Sequence, residues 1–289
     1  MPAGQIADAF QAACRDELEA LKPGNVHAFA DGHRMTASDF VRSAEAAAEP
    51  LAQPGAKIGL RILRAVEATS AAVGTNTNLG IILLCAPLAA AAERRPSDMR
   101  RALWRVLDEL DVEDAALAFR AITLAAPGGL GTAARHDVRA PATVSLRDAM
   151  AEAAERDSIA RQYVSGFEDI FVTGAGVLSA SRALPRNQAT LAVFLAFLAA
   201  FPDSHIVRRH GLATAEDVRD AAARFRTRLQ DAEPAHFMAD LLAWDSELKG
   251  RGINPGTSAD LTVATLFAAR LRDVLASPRD GLPSRRNSG

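Results

Sequence analysis

In the stretch GTNTNLGIILLCAPLAAAAE, Gly74–Glu93, a run of capping residues gives way to a helix with no polar face. A helix that is apolar all round must be covered on every side, so it belongs at the centre of a layer of other helices. A membrane is the other environment that could cover it. The apolar run Leu79–Ala92 falls short of the roughly 20 residues a span needs, and Pro87 interrupts it. The fragment therefore predicts a helical bundle built around itself.

Helical signals continue in both directions. Ala7–Leu21 has an amphipathic pattern and stops at Lys22-Pro23-Gly24. Thr36 or Ser38 caps a helix running to about Glu49, and Pro54-Gly55 resets the chain. Ile58, Ile62, Val66, Thr69 and Val73 then follow the i, i+4 spacing of one helix face. Further helices are predicted at Met99–Leu110, Glu113–Leu124, Leu146–Ala154, Ser158–Ala180, Gln188–Ala200, Thr214–Gln230, His236–Lys249 and Ser258–Ala276. The glycine-rich segment Ala126–Ala142, with His136 and Asp137, reads as the longest ordered loop. No alternating β-branched run supports a strand. The expected fold is all-α, a single multi-helix bundle domain over residues 1–276 with a largely apolar central helix. Ser277–Gly289, with two prolines and two arginines, reads as a frayed tail.

Composition narrows the function classes. The chain has 289 residues, 49% hydrophobic and 24% charged, with a formal net charge of −2. That balance gives no electrostatic reason to expect nucleic acid or an anionic membrane as partner. It leaves room for a local basic pocket that holds a phosphorylated small molecule. Cys14 and Cys85 sit in apolar helical contexts without metal-ligand spacing, as small core residues do in a reducing compartment. The N-terminus lacks a basic segment followed by an apolar core, so the expected location is cytoplasmic. The sequence does not fix the oligomeric state.

The residues that can do chemistry gather in four glycine-marked clusters: KPGNVHAFADGH (Lys22–His33), GTNTNLG (Gly74–Gly80), FPDSHI (Phe201–Ile206) and NPGTSADL (Asn254–Leu261). Each lies at a predicted helix boundary, and helix stops and caps alone account for such residues. Together they suggest one composite site. Asn76 and Asn78 precede a helix N-terminus, whose unpaired N–H groups favour an anion. His27 and Asp31, with His33, supply groups that move protons or hydrogen-bond a nucleotide. Asp203 and His205 follow Pro202. Ser258 and Asp260 stand where a helix begins, so Asp260 serves either as a cap or as a ligand to a cation that bridges phosphates. Asp137 and Asp157 are further carboxylates at loops or helix starts. There is no G-x-x-x-x-G-K-[ST] loop, no H-E-x-x-H and no C-x-x-C. Gly128-Gly129-Leu130-Gly131 lacks the strand that a dinucleotide fingerprint needs.

Taken in order, the clusters resemble the triphosphoribosyl-dephospho-CoA synthase family over roughly Ala13 to Ala269. The most specific strings are KPGNVH, the stretch from Glu67 to Gly80, PDSHIVRRHG from Pro202 to Gly211, and NPGTSADL. The resemblance implies an all-α enzyme that moves the triphosphoribosyl group of ATP to a hydroxyl of dephospho-CoA, releasing adenine. It implies Mg²⁺ as cofactor and small-molecule nucleotides as partners. On that footing Lys22 and His27, with Asp31 and Ser258, are expected to bind the nucleotide, and Asn76 and Asn78 to orient sugar or phosphate. Asp203 and Asp260 are expected to hold the cation. His205 or Glu67, with Asp203, is expected to serve the chemistry. Two departures stand out. Asn78 and Leu79 replace the His-Lys pair of the family's usual G-x-N-T-H-K-G motif, and Asn25-Val26-His27 replaces an apolar residue, valine and an acid. A same-fold enzyme with a different acceptor, for example in a one-carbon cofactor pathway, and a non-catalytic nucleotide-binding protein are the competing readings.

Overall fold

The computed structural model describes residues 1–28, 30–33, 35–133, 135–231 and 234–276. Among them there is no strand, only two isolated bridges, His27 with Ala30 and Gly32 with Met35. The first helices are α1 (Ala3–Leu18), α2 (Ala37–Leu51), α3 (Ile58–Val73), α4 (Leu79–Glu93), α5 (Met99–Asp108), α6 (Val112–Ala125) and α7 (Leu146–Ala151). They are followed by α8 (Ser158–Ser165), α9 (Ala175–Ala180), α10 (Arg186–Ala200), α11 (Ser204–His210), α12 (Leu212–Asp231), α13 (Pro234–Gly250) and α14 (Gly256–Ala276). The predicted tail, 277–289, lies outside the described residues.

Local chemistry sets several boundaries. Thr36 and Asp39 form a reciprocal capping box at the start of α2, and Asp111 and Asp114 form another at α6. Gly74, in the left-handed region, ends α3. All residues of α4 except Gly80 and Glu93 are buried. The helix packs against α1, α2, α3, α5, α8 and α14. Most of the core gathers around it, while α10, α12 and α13 enclose a second cluster in which Phe225 stacks on Trp244 at 4.8 Å.

Three sequence expectations need correction. Pro87 does not interrupt α4, which continues through it. A proline has no N–H to give the carbonyl four residues earlier, and here that carbonyl, Leu83 O, accepts a 2.7 Å bond from the buried Tyr163 hydroxyl instead. The single helix predicted over Ser158–Ala180 is broken. Gly166, at φ +63°, ends α8 against the Trp104 indole, where a β-carbon would overlap the ring, and Asp169–Gly174 then winds as a π-helix. Finally, a helix absent from those predicted, α11, follows Pro202.

Candidate active site

All four clusters open onto one cleft of about 1110 Å³. Asn25 and His33 come from the first cluster, Thr75–Gly80 from the second, and His205 from the third. Asn254, Gly256 and Asp260 come from the fourth. Contacts between distant segments hold them there. The Asn25 amide donates to Asn254 Oδ1 at 2.8 Å, which ties the first cluster to the last. Thr77 Oγ1 donates to Ser43 Oγ at 2.6 Å, and Asn78 Nδ2 to Ser43 O at 3.4 Å, which fixes the second cluster on α2.

The floor of the cleft is the start of α4. Asn76 Oδ1 accepts from Leu79 N at 3.2 Å. The Gly80 and Ile81 amides, the next two, have no acceptor among the described residues. Two unpaired N–H groups on a helix N-terminus attract negative charge. Beside them lies the Asp260 carboxylate of α14, at a distance only a glycine permits: a β-carbon on Gly80 would overlap Asp260 and stand 2.7 Å from Ile159 Cδ1. Asp260 has no hydrogen-bond or ion-pair partner among the described residues. Burial, then the nearby carboxylates of Asp203, Glu17 and Asp157, hold its carboxyl well above the usual range, with Arg208 opposing them.

Opposite the floor, α11 supplies His205, Arg208 and Arg209 to the cleft. Burial and the two arginines, with His33 and His210, push the His205 imidazole down to about 4, so it is neutral at pH 7. Arg208 pairs with Asp157 at 2.5 Å, the residue that caps α8. Gly128 and Gly129, from the loop between α6 and α7, pack on Arg209 and Arg208. Arg135 and Arg156 extend the cationic lining.

Six of the sequence-predicted residues are not brought to this lining. Lys22 is fully buried and its ammonium donates to Glu17 O at 2.8 Å and Val26 O at 2.9 Å, while pairing with the Glu17 carboxylate at 3.3 Å. It stabilises the Lys22–Val26 turn from inside. His27 is equally buried, 3.2 Å from Asp245 Oδ2 and from Lys249 Nζ. Asp31 is exposed and accepts from Ala37 N at the start of α2. Glu67 is exposed on α3, outside the cleft. Asp203 has both oxygens engaged: Oδ1 accepts from His205 N and Ile206 N, and Oδ2 from the Ser258 amide at 2.7 Å and hydroxyl at 2.8 Å. Burial raises the Asp203 carboxyl while those four donors pull it down. Asp203 and Ser258 are thus a junction between α11 and α14. Asn76, Asn78, His205 and Asp260 do line the cleft.

Sequence reasoning passed over Arg208, Arg209 and the glycine-rich loop as site components. The signal for the arginines was present: reading Asp203 as an N-cap makes 204–210 a helix, and His205 and Arg208 then share a face at i, i+3.

No three His, Cys, Asp or Glu side chains among the described residues stand close enough to hold a metal ion by themselves. Asp260 could still face a cation, since other carboxylates crowd it and none of the described residues pairs with it. One such group suits a cation carried in by a polyphosphate, because Mg²⁺ usually keeps several waters and takes one or two protein carboxylates.

A crystal structure from Archaeoglobus fulgidus, provisionally named a triphosphoribosyl-dephospho-CoA synthase, is similar over 78% of this chain and 96% of its own. The identity is 26% and the TM-score 0.63. No curated protein sequence is similar enough to count as a match. The family model described as ATP:dephospho-CoA triphosphoribosyl transferase matches residues 3–279, nearly the whole length, and the chain belongs to that enzyme family.

Proposed function

We propose that this protein transfers the triphosphoribosyl group of ATP to a hydroxyl of dephospho-CoA and releases adenine. The observation that carries the reading is the convergence of all four clusters on one cleft with an anion-seeking helix N-terminus at its floor. At about 1110 Å³ the cleft exceeds the roughly 300–1,000 Å³ of single-ligand pockets, so donor and acceptor can occupy it together.

In this reading the α4 amides, Arg208 and Arg209 hold the triphosphate. Asp260 is the residue that would face a Mg²⁺ ion bound to it, with Glu17 nearby. The ion would neutralise phosphate charge. Asn76 and Asn78 orient the ribose. The bond from the anomeric carbon to the adenine nitrogen breaks as the bond to the acceptor oxygen forms, and the carbon passes through oxocarbenium character. Neutral His205 takes the proton of the acceptor hydroxyl. With a value near 4, its imidazolium gives that proton up readily, and passing it to the departing adenine closes the balance. Asp203 acts through others: it sets the first turns of α11 and α14, and so the positions of His205 and Asp260.

Incubation with ATP, Mg²⁺ and dephospho-CoA, followed by chromatography for free adenine, tests the reading. Adenine appears only when dephospho-CoA is present. A protein that binds no nucleotide refutes it. A second reading, a different acceptor, is favoured by the cleft floor itself. Asn78 is an uncharged amide and Leu79 is packed into the core, so neither supplies a cation there. Adenine release with another hydroxyl acceptor, and none with dephospho-CoA, would select it.

A further inference from the structure

The cleft lining also includes a set of apolar side chains. Phe119 and Ile122 of α6, Met150 of α7, Val138 and Ala153 belong to it, and Thr123 Oγ1 holds the loop to α6 through Val138 O. Leu130, at the tip of the glycine-rich loop, also lines the cleft and is 41% exposed. A leucine held open in a cleft is apolar surface with nothing to cover it. Its own strand of loop has a matching polar feature. The amides of Gly128, Gly129, Leu130, Gly131 and Thr132 have no acceptor among the described residues. Asp137 braces the base of the loop, accepting from Ala133 N and Arg139 N at 2.9 Å each.

Apolar side chains together with a run of free backbone amides suit an extended chain that alternates methylenes with amide carbonyls. We propose that this part of the cleft is the acceptor subsite and holds the pantetheine arm of dephospho-CoA, with Leu130 covering the arm and the loop amides bonding its carbonyls. The inference rests on the transfer reaction proposed above. It places the acceptor's arm between α6, α7 and the loop, and the donor's triphosphate at α4 and α11.

Steady-state kinetics at saturating ATP, with pantetheine as the probe, test it. Leu130→Ser raises KM for dephospho-CoA about tenfold, equivalent to about 1.4 kcal/mol, and leaves KM for ATP within twofold. Pantetheine alone inhibits the wild-type protein competitively against dephospho-CoA and not against ATP, and Leu130→Ser weakens that inhibition by a similar factor. Leu124→Ser, at a leucine of α6 that is 48% exposed and outside the cleft, changes neither constant. Pantetheine that fails to inhibit, or that competes with ATP, overturns the subsite while leaving the reaction standing. A protein that releases adenine from ATP without dephospho-CoA, or only with an acceptor lacking the arm, overturns both.

Discussion

Asp260 and Tyr163 show how a single side chain is answerable to a neighbour far away in sequence. Tyr163, the one tyrosine of the chain, gives its hydroxyl to the carbonyl that Pro87 leaves without a donor. Tyr163→Phe keeps the ring and strands that carbonyl inside the core, so urea unfolding should show a loss of about 1–2 kcal/mol with little change in slope. At Asp260 the expected cost is to activity. Asp260→Asn keeps the volume and removes the ionisable carboxyl that would face the triphosphate and its cation, and adenine release should fall at least about a hundredfold. His205 gives a pH signature. Its folded value, about 4, lies below the ordinary histidine value of 6.5. The unfolded chain therefore takes up the proton first as pH falls, and the stability tied to the neutral ring, fully present above 6.5, is lost on the way down to 4. A His205→Asn variant should show a flatter decline of unfolding free energy across that window. A decline as steep as the wild type's would mean that other groups govern it.

At the scale of elements, the junction of α11 and α14 decides the site. One buried carboxylate, Asp203, caps both helices, and each helix presents one reactive group to the cleft. Asp203→Ala should cost about 3 kcal/mol or more, because two helix ends and a buried hydroxyl lose their acceptor together. Asp203→Asn keeps one acceptor oxygen and should lie between it and the wild type in both melting temperature and turnover. A direct role in chemistry would instead leave Asn as inactive as Ala at full stability. This junction also marks what could be read from sequence. Periodicity located the long helices because their burial pattern repeats within the element. It missed α11, at seven residues too short to show a period, and it joined α8 to α9 because the break there depends on Trp104, some 60 residues earlier in the chain. His27 was expected at the nucleotide for the same reason. The partners that bury His27, Asp245 and Lys249, lie more than 200 residues away, and no local pattern announces them.

On the scale of the whole molecule, the four clusters behave as one object only because the fold closes them around a shared cleft. The first joins the last through Asn25 and Asn254, the second begins α4, and the third and fourth meet at Asp203. Helices from both hydrophobic clusters of the core, the one around α4 and the one enclosed by α10, α12 and α13, reach this meeting point. A ligand seated there touches segments far apart in the chain, so its binding energy should appear as stability of the entire chain rather than of one helix. At an ATP concentration a hundred times its dissociation constant, with Mg²⁺, linkage gives about 2.7 kcal/mol. For a chain of this size that amounts to a rise of about 5 °C in a single thermal transition. Arg209→Gln should reduce the rise by weakening nucleotide binding, while Lys57→Gln, which breaks a surface pair with Asp111 and Glu113 far from the cleft, should preserve it. If the clusters were only helix caps gathered by chance, ATP would leave the transition where it was in all three proteins, and differential scanning fluorimetry would show it directly.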